Sequence, residues 1–149
     1  MNISIIIYKL TSSKIASFVG SLVLAFSSIF WIYSVNAEVI TLNTLFLTLI
    51  FLLALKFTET KRENILYLLS FVFGLSLSNQ YTVLFILPAI FYLLFPFRKD
   101  ILIFKKLLIS ILFFLAGLTP YLYIPIAARG NPYINWGDAK SLTGLLSLM

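Results

Sequence analysis

The sequence predicts an all-α integral membrane protein with about five transmembrane helices. Of the 149 residues, 61% are hydrophobic and 11% are charged, whereas a soluble domain has about 25% charged residues. The mean hydropathy is +1.05. A chain with so few charged side chains cannot cover the surface of a soluble domain, but it suits a bundle of helices embedded in lipid.

The residue types that are missing limit the chemistry. There is no Cys and no His, which removes disulfides, thiolate ligands and the commonest metal ligand and general base. We therefore predict no metal site and no identifiable cofactor. The net charge of +6 is more typical of cytoplasmic loops than of a nucleic-acid partner in a chain this apolar.

Apolar runs separated by polar residues define the predicted spans. A span needs about 20 residues, and the predicted spans are residues 15–33, 39–57, 64–78, 82–97 and 107–123, with a polar outer-face segment at 124–149. The third and fourth spans are short because polar residues around Asn79 interrupt one long apolar stretch. Residues 4–10 are interpreted as the inner end of a helix that begins upstream, or alternatively as a short mobile start.

The distribution of basic residues predicts the topology. The N-terminal segment holds two of the 11 basic residues, the loop after the second span three, and the loop after the fourth span four. With five spans these segments share one side, which the positive-inside rule makes cytoplasmic. Glu38, Asn79, Gln80 and residues 129–138 then share the outer or lumenal face.

Polar and small residues recur at helical spacing. Glu38, Thr41, Thr44 and Thr48 fall within one stripe at 100° per residue, and this stripe should face protein or a wet cavity because lipid penalises it. Small residues repeat every fourth position in two other helices, a pattern that lets helix backbones approach closely in lipid. They are Ser13, just before the first span, with Ser17 and Ser21 inside it, and Ser70, Gly74 and Ser78 in the third span.

Glu38 is the candidate catalytic residue. A carboxylate at a helix start in a partly dry site can accept a hydroxyl proton, hold a cation or pair with Arg129. The structural alternative is an exposed acid that the helix dipole favours.

The segment 129–138 supplies most of the predicted substrate-binding residues. Amides and carboxylates beside an indole suit sugar hydroxyls, and an Arg suits a phosphate. An ordinary interfacial turn would use many of the same residue types, and the amides at 79–80 could simply satisfy a break between helices. The candidates are Asn43, Asn79, Gln80, Arg129, Asn131, Asn135, Trp136 and Asp138.

Three blocks in order resemble the protein O-mannosyltransferase-like membrane proteins, a family placed in the GT-C glycosyltransferase superfamily. They are Ser27-x-x-Phe30-Trp31-x-Tyr33-Ser34-Val35-x-Ala37-Glu38-Val39-x-x-Leu42-Asn43; Gly74-Leu75-x-Leu77-Ser78-Asn79-x-x-Thr82 with Pro88; and Gly117-Leu118-x-Pro120-Tyr121-Leu122-Tyr123-x-Pro125 followed by Asn131-Pro132-x-x-Asn135-Trp136-Gly137-Asp138.

The resemblance implies a GT-C-type bundle that transfers a sugar from a polyprenyl-phosphate carrier to a protein hydroxyl or a glycan. Glu38 and Asn43 would line its cavity, and the 129–138 block would lie at the mouth. The implied partners are the lipid bilayer, the lipid-linked sugar donor and the acceptor. The implied location is the cell membrane of a prokaryote or the endoplasmic reticulum of a eukaryote.

Two departures from the family pattern limit this interpretation. The family usually has His where this chain has Gln80, and its catalytic Asp is expected upstream of every residue here. No Asp precedes Asp100, so we interpret the chain as a fragment of an enzyme and do not expect it to turn over substrate alone. A transporter segment and a non-catalytic membrane subunit remain the alternatives.

Overall fold

A computed structural model of the chain describes residues 2–35 and 39–130, and the regular elements within them are all helical. The predicted all-α class is confirmed. The α-helices are α1 (Asn2–Thr11), α2 (Lys14–Ala25), α3 (Ser28–Val35), α4 (Val39–Thr60), α5 (Glu63–Asn79), α6 (Leu87–Leu94), α7 (Arg98–Ile101), α8 (Phe104–Gly117) and α9 (Pro120–Arg129), and 3₁₀ helices occupy Tyr81–Ile86 and Phe95–Phe97.

Three helical stretches in the described residues are long and apolar enough to cross a membrane. They are Ile40–Thr60, Tyr81–Ile101 and Phe104–Arg129. Helix α5 has 17 residues, or about 26 Å at 1.5 Å per residue, slightly less than the ~30 Å hydrocarbon core. The count of five spans therefore stays a prediction.

The first predicted span consists of two helices in the structure. Helix α2 ends where the Phe26 N–H donates to the Leu22 carbonyl at 2.9 Å, and Ser27 then starts α3 by accepting from the Phe30 N–H at 3.2 Å. A hydroxyl that accepts from the N–H three residues later is a helix N-cap. Residues 15–33 thus contain a break at positions 26–27.

Helix α5 lies at the centre of the packing. It contacts α8 on one side and α4 on the other, and α1 connects the α1–α2 hairpin to α4. The 3₁₀ helix Tyr81–Ile86 and α6 pack against α4 as well. The buried core residues are Ile50, Leu53, Ala54, Phe57, Ile65, Leu66, Leu69, Val72, Val83 and Ile90.

The backbones of α5 and α8 touch directly at two glycines. A Cβ atom added to Gly74 would overlap the carbonyl oxygen of Phe114, and one added to Gly117 would overlap the carbonyl oxygen of Phe71. The sequence predicted a close approach at Gly74, and the structure identifies Gly117 as its partner. Neither position has room for any side chain.

Helices α1 and α2 also approach closely at small residues, but through side chains. Ser17 is buried, and its hydroxyl donates to the Ser4 carbonyl at 2.5 Å. The side chain of Ile7 fills the space above Gly20. Ser13, predicted to be a packing residue, instead caps α2 by accepting from the Ala16 N–H at 3.2 Å.

Ion pairs and cation–π contacts join the predicted cytoplasmic segments at one end of the bundle, which we call the basic end. Lys9 pairs with Glu59 and so links α1 to α4. Lys106 Nζ lies 3.0 Å from Glu63 Oε1 and links α8 to α5. Lys61 Nζ lies 5.3 Å from the centroid of the Phe97 ring. The N-terminal segment and both basic loops therefore lie together at this end of the bundle.

The ion pair between α5 and α8 affects the titration of Glu63. A hydrogen bond from Lys106, with a second from the Tyr67 hydroxyl, holds the pKa of Glu63 below its ordinary value of 4.5. A lowered carboxyl pKa means that the ionised form is favoured by folding. The resulting stabilisation is complete above the ordinary pKa and disappears as the pH falls through the lowered folded-state pKa.

The glycine contact predicts a large effect of small substitutions. Gly117→Ala should lower the free energy of unfolding by about 1–3 kcal/mol, because the new Cβ atom would overlap the Phe71 carbonyl oxygen and must displace it. Thermal unfolding of the chain in detergent micelles measures this. Gly130→Ala is the matched control, since its Cβ would lie 3.3 Å from the Ala127 carbonyl oxygen. Equal melting temperatures for the two variants would contradict the close contact.

The Glu63–Lys106 pair predicts a pH-dependent difference in stability. Glu63→Gln should lower the melting temperature at pH 7, where Glu63 is ionised, and the gap to the unmodified chain should shrink once the pH falls below 4.5. Melting curves of both proteins from pH 7 to below pH 4.5 show whether the difference between their melting temperatures shrinks or widens. A gap that widens towards acid would show that the ion pair does not stabilise the fold.

Candidate functional site

Helix α4 presents two chemically different faces. At 100° per residue, Asn43, Ile50 and Phe57 fall on one side of the helix, and all three are buried in the structure. The threonines at 41, 44 and 48 lie about 100–160° around the helix from Asn43. One helix thus supplies both a core face and a hydroxyl-bearing face.

The hydroxyl-bearing face of α4 lines a cavity of about 710 Å³, which we call the threonine cavity. Its other walls come from the start of α1, the end of α2 and one residue of α3. This places the cavity at the end of α1 and α2 remote from Lys9 and Lys14, and so away from the basic end. The lining residues are Asn2, Ile3, Ser21, Leu24, Ala25, Phe30, Thr41, Leu42, Thr44, Leu45 and Thr48.

The cavity confirms the predicted role of the polar stripe for its three threonines. The stripe was expected to face protein or a wet cavity, and Thr41, Thr44 and Thr48 all line this one. Its fourth member, Glu38, lies outside the described residues. In sequence it directly precedes Val39, the first residue of α4.

Three of the four hydroxyls that line the cavity are oriented as hydrogen-bond acceptors. Thr44 donates to the Ile40 carbonyl at 3.0 Å, Thr48 donates to the Leu45 carbonyl at 2.9 Å, and Ser21 donates to the Ser17 carbonyl at 2.7 Å. A hydroxyl has one hydrogen and two lone pairs. Because each hydrogen is committed to the backbone, the oxygen remains able to accept from a bound molecule.

The lining is also uncharged over the part of the chain that the structure describes. Five lining residues carry an amide or a hydroxyl, and the other six are apolar, with Phe30 as the aromatic member. Small-molecule sites are commonly about 300–1,000 Å³ and mostly apolar with a few polar groups. The threonine cavity has this character and suits a neutral ligand that is rich in hydroxyls.

Asn43 faces the opposite way from the threonine cavity. It is 9% exposed, and its Nδ2 donates to the Thr82 hydroxyl at 3.2 Å across to the 3₁₀ helix Tyr81–Ile86. Its Oδ1 is buried without a hydrogen-bond partner in the described residues. The resemblance implied that Asn43 lines a cavity with Glu38, but Asn43 does not line the threonine cavity.

Asn79 and Gln80 lie at the junction between α5 and the 3₁₀ helix. Asn79 is the last residue of α5, and the Gln80 N–H closes the helix by donating to the Ser76 carbonyl at 3.0 Å. The hydroxyl of Tyr121, on α9, donates to the Leu77 carbonyl at 2.8 Å. The structure therefore brings Asn43, Thr82 and Gln80 to one end of the bundle, outside the threonine cavity.

Arg129 is the last residue of α9 and is exposed. It forms no ion pair with any other described residue. Residues 124–129 of the predicted outer-face segment belong to this helix. The remaining candidates, Asn131, Asn135, Trp136 and Asp138, lie outside the described residues.

Comparison with known proteins identifies the family. Residues 4–102 match the model of the protein O-mannosyl-transferase TMEM260 N-terminal domain. The chain belongs to this family.

Two curated relatives are similar over nearly the whole chain. Protein O-mannosyl-transferase TMEM260 of Mus musculus is 36% identical over 152 residues, which cover 95% of this chain and 21% of the mouse protein. Protein O-mannosyl-transferase tmem260 of Dictyostelium discoideum is 28% identical over 156 residues, which cover 94% of this chain and 19% of the Dictyostelium protein. The chain thus spans about a fifth of the length of these relatives. No solved structure matches it.

Several residues that line the threonine cavity or contact Asn43 were not predicted as site residues. Asn2, Ser21 and Phe30 line the threonine cavity, and Thr82 is the partner of Asn43. Ser21 had a signal in its four-residue spacing from Ser17, which we interpreted as helix packing. Nothing in a single sequence indicates that α1 approaches α4, so Asn2 could not have been found.

The bond between Asn43 and Thr82 predicts an asymmetric effect on stability. Thr82→Val removes the acceptor and leaves the buried Asn43 amide without a partner, which should lower the free energy of unfolding by about 1–3 kcal/mol. Thr82→Ser keeps the hydroxyl and should change the free energy of unfolding much less. Chemical denaturation of both variants in micelles makes the comparison, and equal losses would show that the hydroxyl contributes nothing.

Proposed function

We propose that this chain forms part of a membrane glycosyltransferase that transfers mannose from a polyprenyl-phosphate carrier to a protein hydroxyl or a glycan. Family membership and the names of the two relatives support a glycosyltransferase. The polyprenyl-phosphate donor and the acceptor class come from the GT-C resemblance. The sugar is taken from the relatives' names.

The observation that carries the proposal is a hydroxyl-lined cavity on the helix that Glu38 precedes. Thr41, three residues after Glu38 in sequence, lines this cavity. We assign to Glu38, which directly precedes α4 in sequence, the role of orienting an acceptor hydroxyl or accepting its proton. The family relationship and the cavity thus support the same class of chemistry.

The proposed reaction is an in-line displacement at the anomeric carbon. The bond from that carbon to the phosphate oxygen breaks, a new bond to the acceptor oxygen forms, and the acceptor proton passes to a carboxylate. Glu38 has a supporting role in this scheme, because the family's catalytic Asp is expected upstream of the residues here. A cation near the departing phosphate lowers the barrier by stabilising its charge, and Arg129 is our candidate for it.

The proposed topology places the chemistry on the outer or lumenal side. The basic end of the bundle would be cytoplasmic by the positive-inside rule. The chain would cross the membrane several times, in the cell membrane of a prokaryote or the endoplasmic reticulum of a eukaryote. Asn79, Gln80 and residues 129–138 would then lie at the outer mouth of the site.

Replacement of Glu38 tests the proposed function. The assay uses membranes from cells that make the protein with any flanking sequence it naturally has, polyprenyl-phosphate mannose and a hydroxyl-bearing acceptor peptide. Glu38→Gln should lower transfer by about 10- to 100-fold, because general acid–base groups commonly contribute a factor of 10² or more and this role is a supporting one.

Asp100→Asn provides the matched control. It removes an exposed acid from α7, at the basic end, and should leave transfer unchanged. Transfer that is equal in the unmodified protein and in Glu38→Gln would remove Glu38 from the mechanism. A protein that transfers no mannose in any form would contradict the proposed function itself.

A further inference from the structure

We infer that the threonine cavity is a subsite for a neutral pyranose, in which the hydroxyl oxygens of Thr44 and Thr48 accept hydrogen bonds from sugar hydroxyls. The inference rests on the proposed function, which it deepens by assigning one part of the substrate to one surface of α4. Three observations carry it.

The first observation is the direction of the hydrogen bonds. The hydroxyls of Thr44 and Thr48 both donate to carbonyls of their own helix. Their free lone pairs face a cavity, and a ligand that donates hydrogen bonds satisfies them best. The two residues are four positions apart, about 6 Å along the helix axis, so they can contact different hydroxyls of the same ligand.

The second observation is the absence of charge. No described residue that lines the cavity is charged, and a phosphate held in such a place would lose its hydration without a compensating cation. The cavity therefore suits the sugar of a lipid-linked donor or of a glycan, and the phosphate of a donor must lie elsewhere. The apolar walls suit the C–H faces of a pyranose ring.

The third observation comes from other threonines of the same helix. Thr58 donates to the Leu55 carbonyl at 2.7 Å and Thr60 donates to the Lys56 carbonyl at 2.8 Å. Neither lines the threonine cavity. The backbone bond is therefore a common feature of threonine in α4, and only the cavity distinguishes Thr44 and Thr48.

The experiment measures ligand binding to the chain in lipid nanodiscs. The primary probe is octyl α-mannoside, which carries a pyranose on a short apolar chain, and 1-octanol is the probe that lacks the sugar. The double variant Thr44→Val, Thr48→Val should bind octyl α-mannoside at least tenfold more weakly, because valine has the same shape but leaves the sugar hydroxyls unpaired.

Two further variants separate binding from folding. Thr44→Ser, Thr48→Ser retains both hydroxyls and should restore most of the affinity. Thr58→Val, Thr60→Val removes two hydroxyls from the same helix and should leave the affinity unchanged. Unchanged affinity in the Thr44, Thr48 valine variant would overturn the inference. Binding of 1-octanol as tight as that of octyl α-mannoside would also overturn the inference, because the cavity would then bind the alkyl chain and not the sugar.

A competition experiment distinguishes the two possible sources of the pyranose, a glycan acceptor and the lipid-linked donor. An α-mannosylated peptide that displaces the octyl mannoside through Thr44 and Thr48 supports a glycan acceptor, and failure of the peptide to compete supports the lipid-linked donor. Threonine-dependent binding without any mannose transfer would contradict the proposed function and support the subsite. Normal transfer with binding that ignores the threonines would support the function and overturn the subsite.

Discussion

The direct backbone contact between α5 and α8 fixes the arrangement on which the rest of the structure depends. Helices in lipid gain little from apolar burial, so close van der Waals packing and hydrogen bonds must hold them together. Side-chain contacts flank this backbone contact between Gly74 and Gly117. Towards the basic end, Tyr67 stacks on Phe113 and Glu63 pairs with Lys106. Beyond the glycines, the Tyr121 hydroxyl of α9 donates to the Leu77 carbonyl of α5.

This rigid pair provides the wall against which α4 is oriented. Because α5 is held by α8, the apolar face of α4 around Ile50 has a fixed surface to pack against. The rotation of α4 about its axis follows, and so the threonine face is directed towards α1 and α2. Packing of the apolar face of α4 therefore orients its threonine face. No contact between the threonine hydroxyls is needed for this.

Much of this arrangement could be predicted from residue spacing alone. The 100° period identified the threonine face correctly, and the repeat of small residues identified Gly74. The same period also places Asn43 away from the threonines, which is where the structure has it. Whether Asn43 shares a cavity with Glu38, as the resemblance implied, stays a prediction because Glu38 lies outside the described residues.

Other features depend on information that a single sequence lacks. The break at residues 26–27 contains no Pro or Gly, and its N-cap, Ser27, lies within a long apolar run that predicts continuous helix. Residue spacing within α5 does not indicate which other helix Gly74 packs against.

The separation of charge along the bundle constrains where each step of the proposed reaction can occur. Among the described residues, Arg129 is the one charged side chain in the half of the chain's helices remote from the basic end. A lipid phosphate that leaves with a negative charge needs a cation, and no described residue that lines the threonine cavity can supply it. In the proposed reaction, the sugar and the phosphate of the donor would therefore be held by different surfaces. The anomeric bond that breaks would then lie between the surface that holds the sugar and the cation that holds the phosphate, for which Arg129 is our candidate.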